Sequence, residues 1–156
     1  MNSSSNLIRA AMVPALREAG FKVRSNTWHK QCEDTLLVVN LQKSQWGPQF
    51  YINLAVWVRQ LGDASAPKEY QCHIRQRATS LPDKRAENLE RALDLEDGSM
   101  GLQEREACIG EFMRESAIPF LESLSTMEGI RSALETQKLK GCFVNRELKE
   151  LLAGQV

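Results

Sequence analysis

The spacing of apolar residues along the chain predicts one helix followed by four strands. From residue 4 to residue 19, apolar side chains recur at helical spacing, and Gly20 suits the end of that helix. After Gly20 the period falls to two, which is typical of strands that bury one face. Four segments have this alternation: 21–30, 35–44, 50–60 and 70–79. Gly47 and Pro48 form a short connection between the middle two strands, so we predict that this pair is an antiparallel hairpin.

Helical spacing returns after residue 81. Three segments carry it, 102–116, 127–139 and 146–153, and residues 86–95 form a further, short helical segment. Arg105 and Glu106 fill the turn between Leu102 and Ile109, so the apolar stripe of the first segment is weak at its start. Pro119 suits the start of a further helical turn. A helix, a four-stranded antiparallel sheet and several C-terminal helices indicate an α+β fold, with the C-terminal helices packed on the sheet. We predict a single domain over residues 1–156, with the helix and sheet in 1–80 and the helical part in 81–156.

Composition and the N-terminal residues predict a cytoplasmic protein. Hydrophobic residues make up 42% of the chain, and no apolar run approaches the roughly 20 residues that span a bilayer. Arg9, Arg17 and Glu18 interrupt the apolar residues near the N-terminus, so no secretory signal is predicted. The four cysteines are far apart and include no CxxC pair, which disfavours a zinc site or a disulfide framework. We therefore expect no membrane association.

Charge is balanced over the whole chain but not along it. Residues 1–80 hold ten Lys or Arg and five Asp or Glu, whereas residues 81–156 hold ten and fifteen. The basic half favours an anionic partner, yet its surplus of five positive charges is modest for a dedicated nucleic-acid binder. The acidic half opposes nonspecific binding to phosphates and favours a basic, nuclease-like protein partner.

The residues needed for common catalytic mechanisms are scarce. His29 and His73 are the only histidines in the sequence. His73 follows Cys72 in a predicted strand, where neighbouring side chains point to opposite faces, so the two cannot pair directly as base and nucleophile. Neither glycine-rich phosphate-binding motif, GxxxxGKS/T or GxGxxG, occurs. We expect no catalytic residue, no metal site and no cofactor, and hence a protein that is not an enzyme.

The polar face of the predicted sheet is the candidate binding surface. It pools aromatic, amide, hydroxyl, histidine and arginine side chains from all four strands: Trp28, Asn40, Gln42, Ser44, Tyr51, Asn53, Trp57, His73, Arg75 and Arg77. Aromatic residues and arginines are enriched among the anchors of protein interfaces. The same residue types are typical of sheets that bind single-stranded RNA. A third interpretation is that a C-terminal helix covers part of this face and its polar groups satisfy one another.

Four blocks of the sequence carry a family resemblance. They are GFKVRSNTW at 20–28, VVNLQKSQWGPQFYINLAV at 38–56, CHIRQR at 72–77 and IPFLESL at 118–124. Their order and spacing resemble the bacterial domain-of-unknown-function 4304 family over roughly the whole domain, and QKSxWGxxFYINL is the most specific part. The resemblance implies an α+β fold. It implies no reaction and supplies no catalytic residues to carry over.

These observations favour a non-enzymatic interaction protein that binds a protein partner. One specific form of this hypothesis is an immunity protein that neutralises a bacterial toxin by blocking its active site, which rests on the missing catalytic groups, the absent signal and the analogy of fold. The alternative is a nucleic-acid or small-ligand binding module that uses the same sheet face. That alternative requires Tyr51 and Trp57 to be exposed beside Arg75 and Arg77, and it predicts salt-sensitive binding.

Overall fold

The elements of the chain follow one another in an α+β order. A computed structural model describes the backbone of residues 3–154 and the side chains of residues 6–154. Its helices are α1 (Ser3–Glu18), α2 (Ala86–Ala92), α3 (Leu102–Phe112), α4 (Ile118–Glu122), α5 (Met127–Glu135) and α6 (Arg146–Ala153). Its strands are β1 (Lys22–Arg24), β2 (Thr27–Gln31), β3 (Thr35–Lys43), β4 (Phe50–Val58), β5 (Ile74–Arg77) and β6 (Phe143–Val144). The predicted α+β class and N-terminal helix are confirmed.

The strands form one antiparallel sheet in which neighbours in sequence are neighbours in space. The order is β1-β2-β3-β4-β5-β6, so the prediction of four strands was wrong and the described sheet has six. The central pair, β3 and β4, is in register from Thr35 opposite Val58 to Lys43 opposite Phe50, as the predicted hairpin requires. Strands β1 and β6 have three and two residues, which is too short for an alternating pattern to be visible in the sequence.

The first predicted strand is a hairpin of two short strands. Arg24 pairs with Thr27 across a two-residue turn, and Ser25, the first residue of that turn, has a φ of 58°. A positive φ at this position matches the twist of the turn to that of the adjoining strands. Because the paired residues are three apart in sequence, the alternation of faces reverses across the turn. Trp28 therefore lies opposite Val39 on the apolar face of the sheet.

The helices cover one face of the sheet, and the main hydrophobic core lies between the two layers. Its fully buried side chains include Ile8, Met12 and Leu16 of α1, Leu37, Ile52 and Leu54 of the sheet, and Ile109 and Phe112 of α3. Thr35 at the start of β3 is also buried, and its hydroxyl donates to the backbone carbonyl of Ser125 at 3.0 Å. This bond ties the sheet to the connection between α4 and α5.

One helical run from Leu102 to Glu122 replaces the separate helices predicted on either side of Pro119. Proline lacks a backbone N–H, and its ring clashes with the carbonyl four residues earlier, here that of Glu115. A π turn at Met113–Ala117 joins α3 to α4 and contains this residue. The wider π turn accommodates the proline ring, so the helix passes Pro119 without ending.

Arg105 is buried near the start of α3, and its guanidinium donates hydrogen bonds to carbonyls at the C-terminal end of α2. Its terminal nitrogens lie 2.8 to 3.1 Å from five backbone carbonyl oxygens, those of Arg91, Ala92, Asp94, Asp97 and Met100. The first two carbonyls belong to the last turn of α2, where helical partners run out and the helix dipole favours a cation. The residue that interrupts the apolar stripe of α3 therefore stabilises the connection between α2 and α3.

Candidate functional site

The second face of the sheet, defined as the face turned away from the helices, divides into an apolar half and a polar half. In the apolar half, Leu36 lies opposite Trp57 and Val38 lies opposite Ala55. In the polar half, Asn40 lies opposite Asn53 and Gln42 lies opposite Tyr51. Arg75 and Arg77 continue the polar half on β5, opposite Ala55 and Asn53. The two halves differ in what covers them.

The connection formed by residues 62–72, rather than a C-terminal helix, covers the apolar half. The indole Nε1 of Trp57 donates to the carbonyl of Gly62 at 2.9 Å. The His29 Nε2 lies 2.9 Å from the carbonyl oxygen of Pro67, which can only accept, so Nε2 carries the hydrogen. Cys72 ends the connection in a small apolar cluster with Val38 and Ala55, and burial raises the pKa of its thiol to about 12. This thiol is therefore protonated at neutral pH.

His73 lies on the second face but in its covered half. Its Nδ1 accepts the backbone N–H of Val58 at 2.9 Å, and its ring centroid lies 4.5 Å from that of Trp57. Burial lowers the pKa of the imidazole, and the nearby Glu147 carboxylate offsets this only in part. The ring is a neutral, hydrogen-bonded structural group. The structure does not place His73 or Trp57 on an open surface, contrary to their predicted position.

Trp28 and Ser44 also lie outside the open part of the face. Trp28 is 2% exposed and packs in the main core, with the Arg9 guanidinium 5.3 Å from its ring centroid. Its predicted place on the polar face was wrong because the turn before β2 reverses the alternation. Ser44 follows the end of β3 and is buried, and its hydroxyl accepts the backbone N–H of Trp46 at 3.1 Å. This hydroxyl shapes the turn between β3 and β4.

The amides of the polar half form a hydrogen-bonded row across three strands. Asn53 donates to the side-chain oxygens of Asn40, at 3.1 Å, and Gln42, at 2.9 Å. Asn40 in turn donates to the hydroxyl of Thr27 at 3.0 Å. Asn53 is buried beneath these neighbours, whereas Gln42 is exposed. The amides therefore hydrogen-bond to one another without a covering helix, and they form a connected floor.

Two arginines lie beside this amide row, each stacked on an aromatic ring. The Arg77 guanidinium carbon lies 3.8 Å from the ring centroid of Tyr51, and that of Arg75 lies 4.1 Å from the ring centroid of Phe143. Within residues 6–154, neither side chain makes a hydrogen bond or an ion pair. The Nε of Arg75 is buried and has no hydrogen-bond partner. The arginine–amide surface is defined as Asn40, Gln42, Tyr51, Asn53, Arg75 and Arg77.

Glu69 lies at the border between the covering connection and the arginine–amide surface. It lines an open recess together with Gln42, Asn53, Arg75, Gln76, Arg77 and Phe143. Burial raises the pKa of the Glu69 carboxyl, and the positive charges of Arg75 and Arg77 oppose that rise. The recess therefore contains two guanidinium groups, one carboxyl group and a floor of amides.

The described residues hold no arrangement typical of metal chemistry. Among them, no three His, Cys, Asp or Glu side chains are grouped closely enough to hold a metal ion. The same part of the chain contains no helix with the length and apolar character needed to cross a bilayer. The polar half can donate hydrogen bonds to a molecule that lies against it, and its two arginines can attract a negative charge on that molecule.

The fold and this surface define the class: an α+β protein with helices on one face of an antiparallel sheet and a half-covered second face. A family model described as "Domain of unknown function (DUF4304)" matches residues 12–123, and the chain belongs to this family. The resemblance predicted from the sequence is thus confirmed. No curated protein matches the chain. No solved structure matches it either.

Three residues of the recess were not predicted from the sequence: Glu69, Gln76 and Phe143. Gln76 alternates with Arg75 and Arg77 along β5, so the strand pattern assigns it to the opposite face. Phe143 belongs to β6, and a two-residue strand shows no alternation. Glu69 lies in a connection whose polar and small residues predict only a loop. No local signal in the sequence points to Phe143, because its place beside Arg75 depends on strand pairing between distant parts of the chain.

Proposed function

We propose that this chain is a non-enzymatic binding protein that recognises a protein partner through the arginine–amide surface. The observation that carries the proposal is that this part of the sheet is left uncovered while the rest of the second face is closed by residues 62–72. Arginine and tyrosine are enriched among residues that anchor protein interfaces. Both types occur here beside hydrogen-bonded amides, and the arginines are already stacked on aromatic rings, so less ordering is needed on binding.

The surface is large enough for the centre of an interface but not for all of it. From β3 to β5 it crosses two strand spacings, about 10 Å. A standard interface buries about 800 Å² on each partner, which is a wider area. We therefore expect the contact to extend over the neighbouring residues 66–70 and over Phe143, which is 46% exposed.

The geometry gives less support to a nucleic-acid platform. Stacking of bases requires open aromatic faces. Arg77 already covers one face of Tyr51, and Arg75 covers one face of Phe143. Trp57, a further aromatic residue on this side of the sheet, packs against His73 and donates its N–H to the backbone. The arginine–amide surface therefore offers a partner mainly guanidinium and amide groups, whereas the exposed Tyr70 lies outside it, in the covering connection.

Partner capture with a charge-reversed surface tests this proposal. The purified chain is immobilised, exposed to a lysate of its native host, and compared with Arg77→Glu and with Arg114→Glu. Arg114 is the matched control because it lies on the helical side of the molecule, where its guanidinium pairs with Glu18 at 3.5 Å. We expect a protein that the wild type and R114E retain and that R77E loses by about tenfold or more. Equal retention by R77E would exclude this surface as the binding site.

The more specific hypothesis, an immunity protein in the cytoplasm, stays a prediction. It rests on the absence of recognisable catalytic groups from the sequence and on analogy of fold. If it is right, the captured protein is a toxin, and co-expression of this chain protects a cell from that toxin. R77E then protects less well than R114E, because both capture and protection depend on the same surface.

A further inference from the structure

We infer that Arg75 and Arg77 form a carboxylate-binding pocket in which an acidic side chain of the protein partner docks. This inference rests on the proposed function, and it names the chemistry that the arginine–amide surface recognises. Its starting point is the side chain of Arg75. Its Nε–H is buried and lacks a hydrogen-bond partner within the described residues, although its guanidinium borders an open recess. A buried donor without a partner costs free energy, and a shift of the Arg75 side chain that brings this N–H to an acceptor in the recess would remove that cost.

The two guanidinium groups are held in place before anything binds. Arg75 is backed by the ring of Phe143 and Arg77 by the ring of Tyr51, so each planar group has one face covered. The buried Nε of Arg75 is closed off, and the terminal nitrogens of its guanidinium border the recess. Carboxylates bind guanidinium groups with two parallel hydrogen bonds. Arg75 and Arg77 are two residues apart on β5, and they share a face of the sheet, because side chains alternate along a strand.

The charge in the recess favours a group with one negative charge. Arg75 and Arg77 contribute two positive charges, Glu69 contributes one acidic group, and the other polar residues of the lining are the neutral amides Gln42, Asn53 and Gln76. With Glu69 ionised, one positive charge remains, which matches a carboxylate. A phosphomonoester carries about −1.5 to −2 at neutral pH and would meet the same Glu69. The recess therefore fits an aspartate or glutamate side chain better than a phosphorylated one.

Glu69 weakens the pocket that it borders. Its carboxyl group interacts electrostatically with both arginines but forms an ion pair with neither of them, and burial raises its pKa. A bound carboxylate would be repelled by an ionised Glu69 in the same recess. Replacing Glu69 with glutamine should therefore strengthen the binding of an acidic ligand, whereas replacing either arginine should weaken it. If the substitutions merely disturbed the fold, all of them should weaken binding, and an increase in affinity at Glu69 would not be expected.

The test is an NMR titration that observes the arginine Nε–H groups of the full chain directly. The probe is a tri-glutamate peptide with blocked termini, and the matched neutral probe is tri-glutamine. We expect the Nε–H signals of Arg75 and Arg77 to shift saturably with tri-glutamate and not with tri-glutamine, while that of Arg114 stays unchanged. Arg75→Gln or Arg77→Gln should weaken binding by about tenfold, since a hydrogen bond to a charged group contributes about 1.5–3 kcal/mol. Glu69→Gln should tighten it by about threefold.

Three results would overturn the inference. One is the absence of any shift at Arg75 and Arg77, another is an equal shift with tri-glutamine, and a third is tighter binding of a phosphoserine peptide or an oligothymidylate than of tri-glutamate. Arg77 is exposed, so R77Q keeps the test valid if R75Q fails to fold. The titration and the capture experiment fail separately. If R77E loses the captured protein but tri-glutamate does not bind, only the carboxylate pocket is ruled out. If tri-glutamate binds but no protein is captured, only the protein partner is ruled out.

Discussion

Replacing Arg105 with methionine is expected to lower the free energy of unfolding by about 3–5 kcal/mol. Methionine matches the aliphatic part of the arginine side chain but lacks the donors for five backbone carbonyls around the end of α2. Several of these carbonyls would stay buried without a partner, and the last turn of α2 would lose its cation. Urea-induced unfolding followed by circular dichroism measures the effect.

Two further variants separate this cause from general damage to α3. Arg114→Met removes an exposed arginine from the same helical run, and because Arg114 has only a surface ion pair to Glu18, we expect a loss below about 1 kcal/mol. Arg105→Lys keeps the charge but offers fewer donors with a different geometry, so its loss should be intermediate. If R105M costs no more than R114M, the structural role assigned to Arg105 is wrong.

Replacing Trp28 with alanine is expected to lower the free energy of unfolding by about 3–5 kcal/mol. The side chain is 2% exposed and packs between the sheet and the helices, so its removal leaves a large cavity in the main core. The matched variant is Trp46→Ala, because Trp46 is 87% exposed in the turn after β3 and should change stability by less than about 0.5 kcal/mol. Equal effects of W28A and W46A on urea unfolding would place Trp28 on the surface after all.

The parts of the fold that the sequence predicts are those with long, regular patterns. The central strands β3 and β4 have nine residues each, long enough for alternation to separate the core face from the second face. Helix α1 has sixteen residues, and its apolar spacing is equally clear. The confirmed α+β order follows from these long elements, because an amphipathic helix and a one-sided sheet must bury their apolar faces against each other.

The errors arise where an outcome depends on a turn or on a distant contact. Trp28 changes face because of one two-residue turn at Ser25, whose position no periodicity reveals. Strand β6 comes from the C-terminal region, so its pairing with β5 depends on tertiary packing. Arg105 resembles a simple flaw in an apolar stripe, and only the fold brings the five carbonyls to it. In each case the decisive partner lies outside the local pattern.

In the candidate site, too, the local pattern predicts some features and tertiary contacts decide the others. Alternation correctly groups six of the ten predicted residues on the polar half of the second face: Asn40, Gln42, Tyr51, Asn53, Arg75 and Arg77. It also assigns Trp57 and His73 to this face, but it cannot reveal that the connection at residues 62–72 folds over them. The stacking of Arg75 on Phe143 joins residues that are far apart in sequence, so no local pattern indicates it. Burial by loops and long-range stacking are set by tertiary structure alone.

Site-specific photocrosslinking in the native host tests whether the arginine–amide surface binds a protein. A benzoylphenylalanine is placed at position 42, where Gln42 is exposed on this surface, and in a second strain at position 106, where Glu106 is exposed on α3. We expect a crosslinked protein from position 42 at a yield about tenfold or more above that from position 106. An adduct from position 106 alone, equal yields from the two positions, or no adduct at all would contradict it.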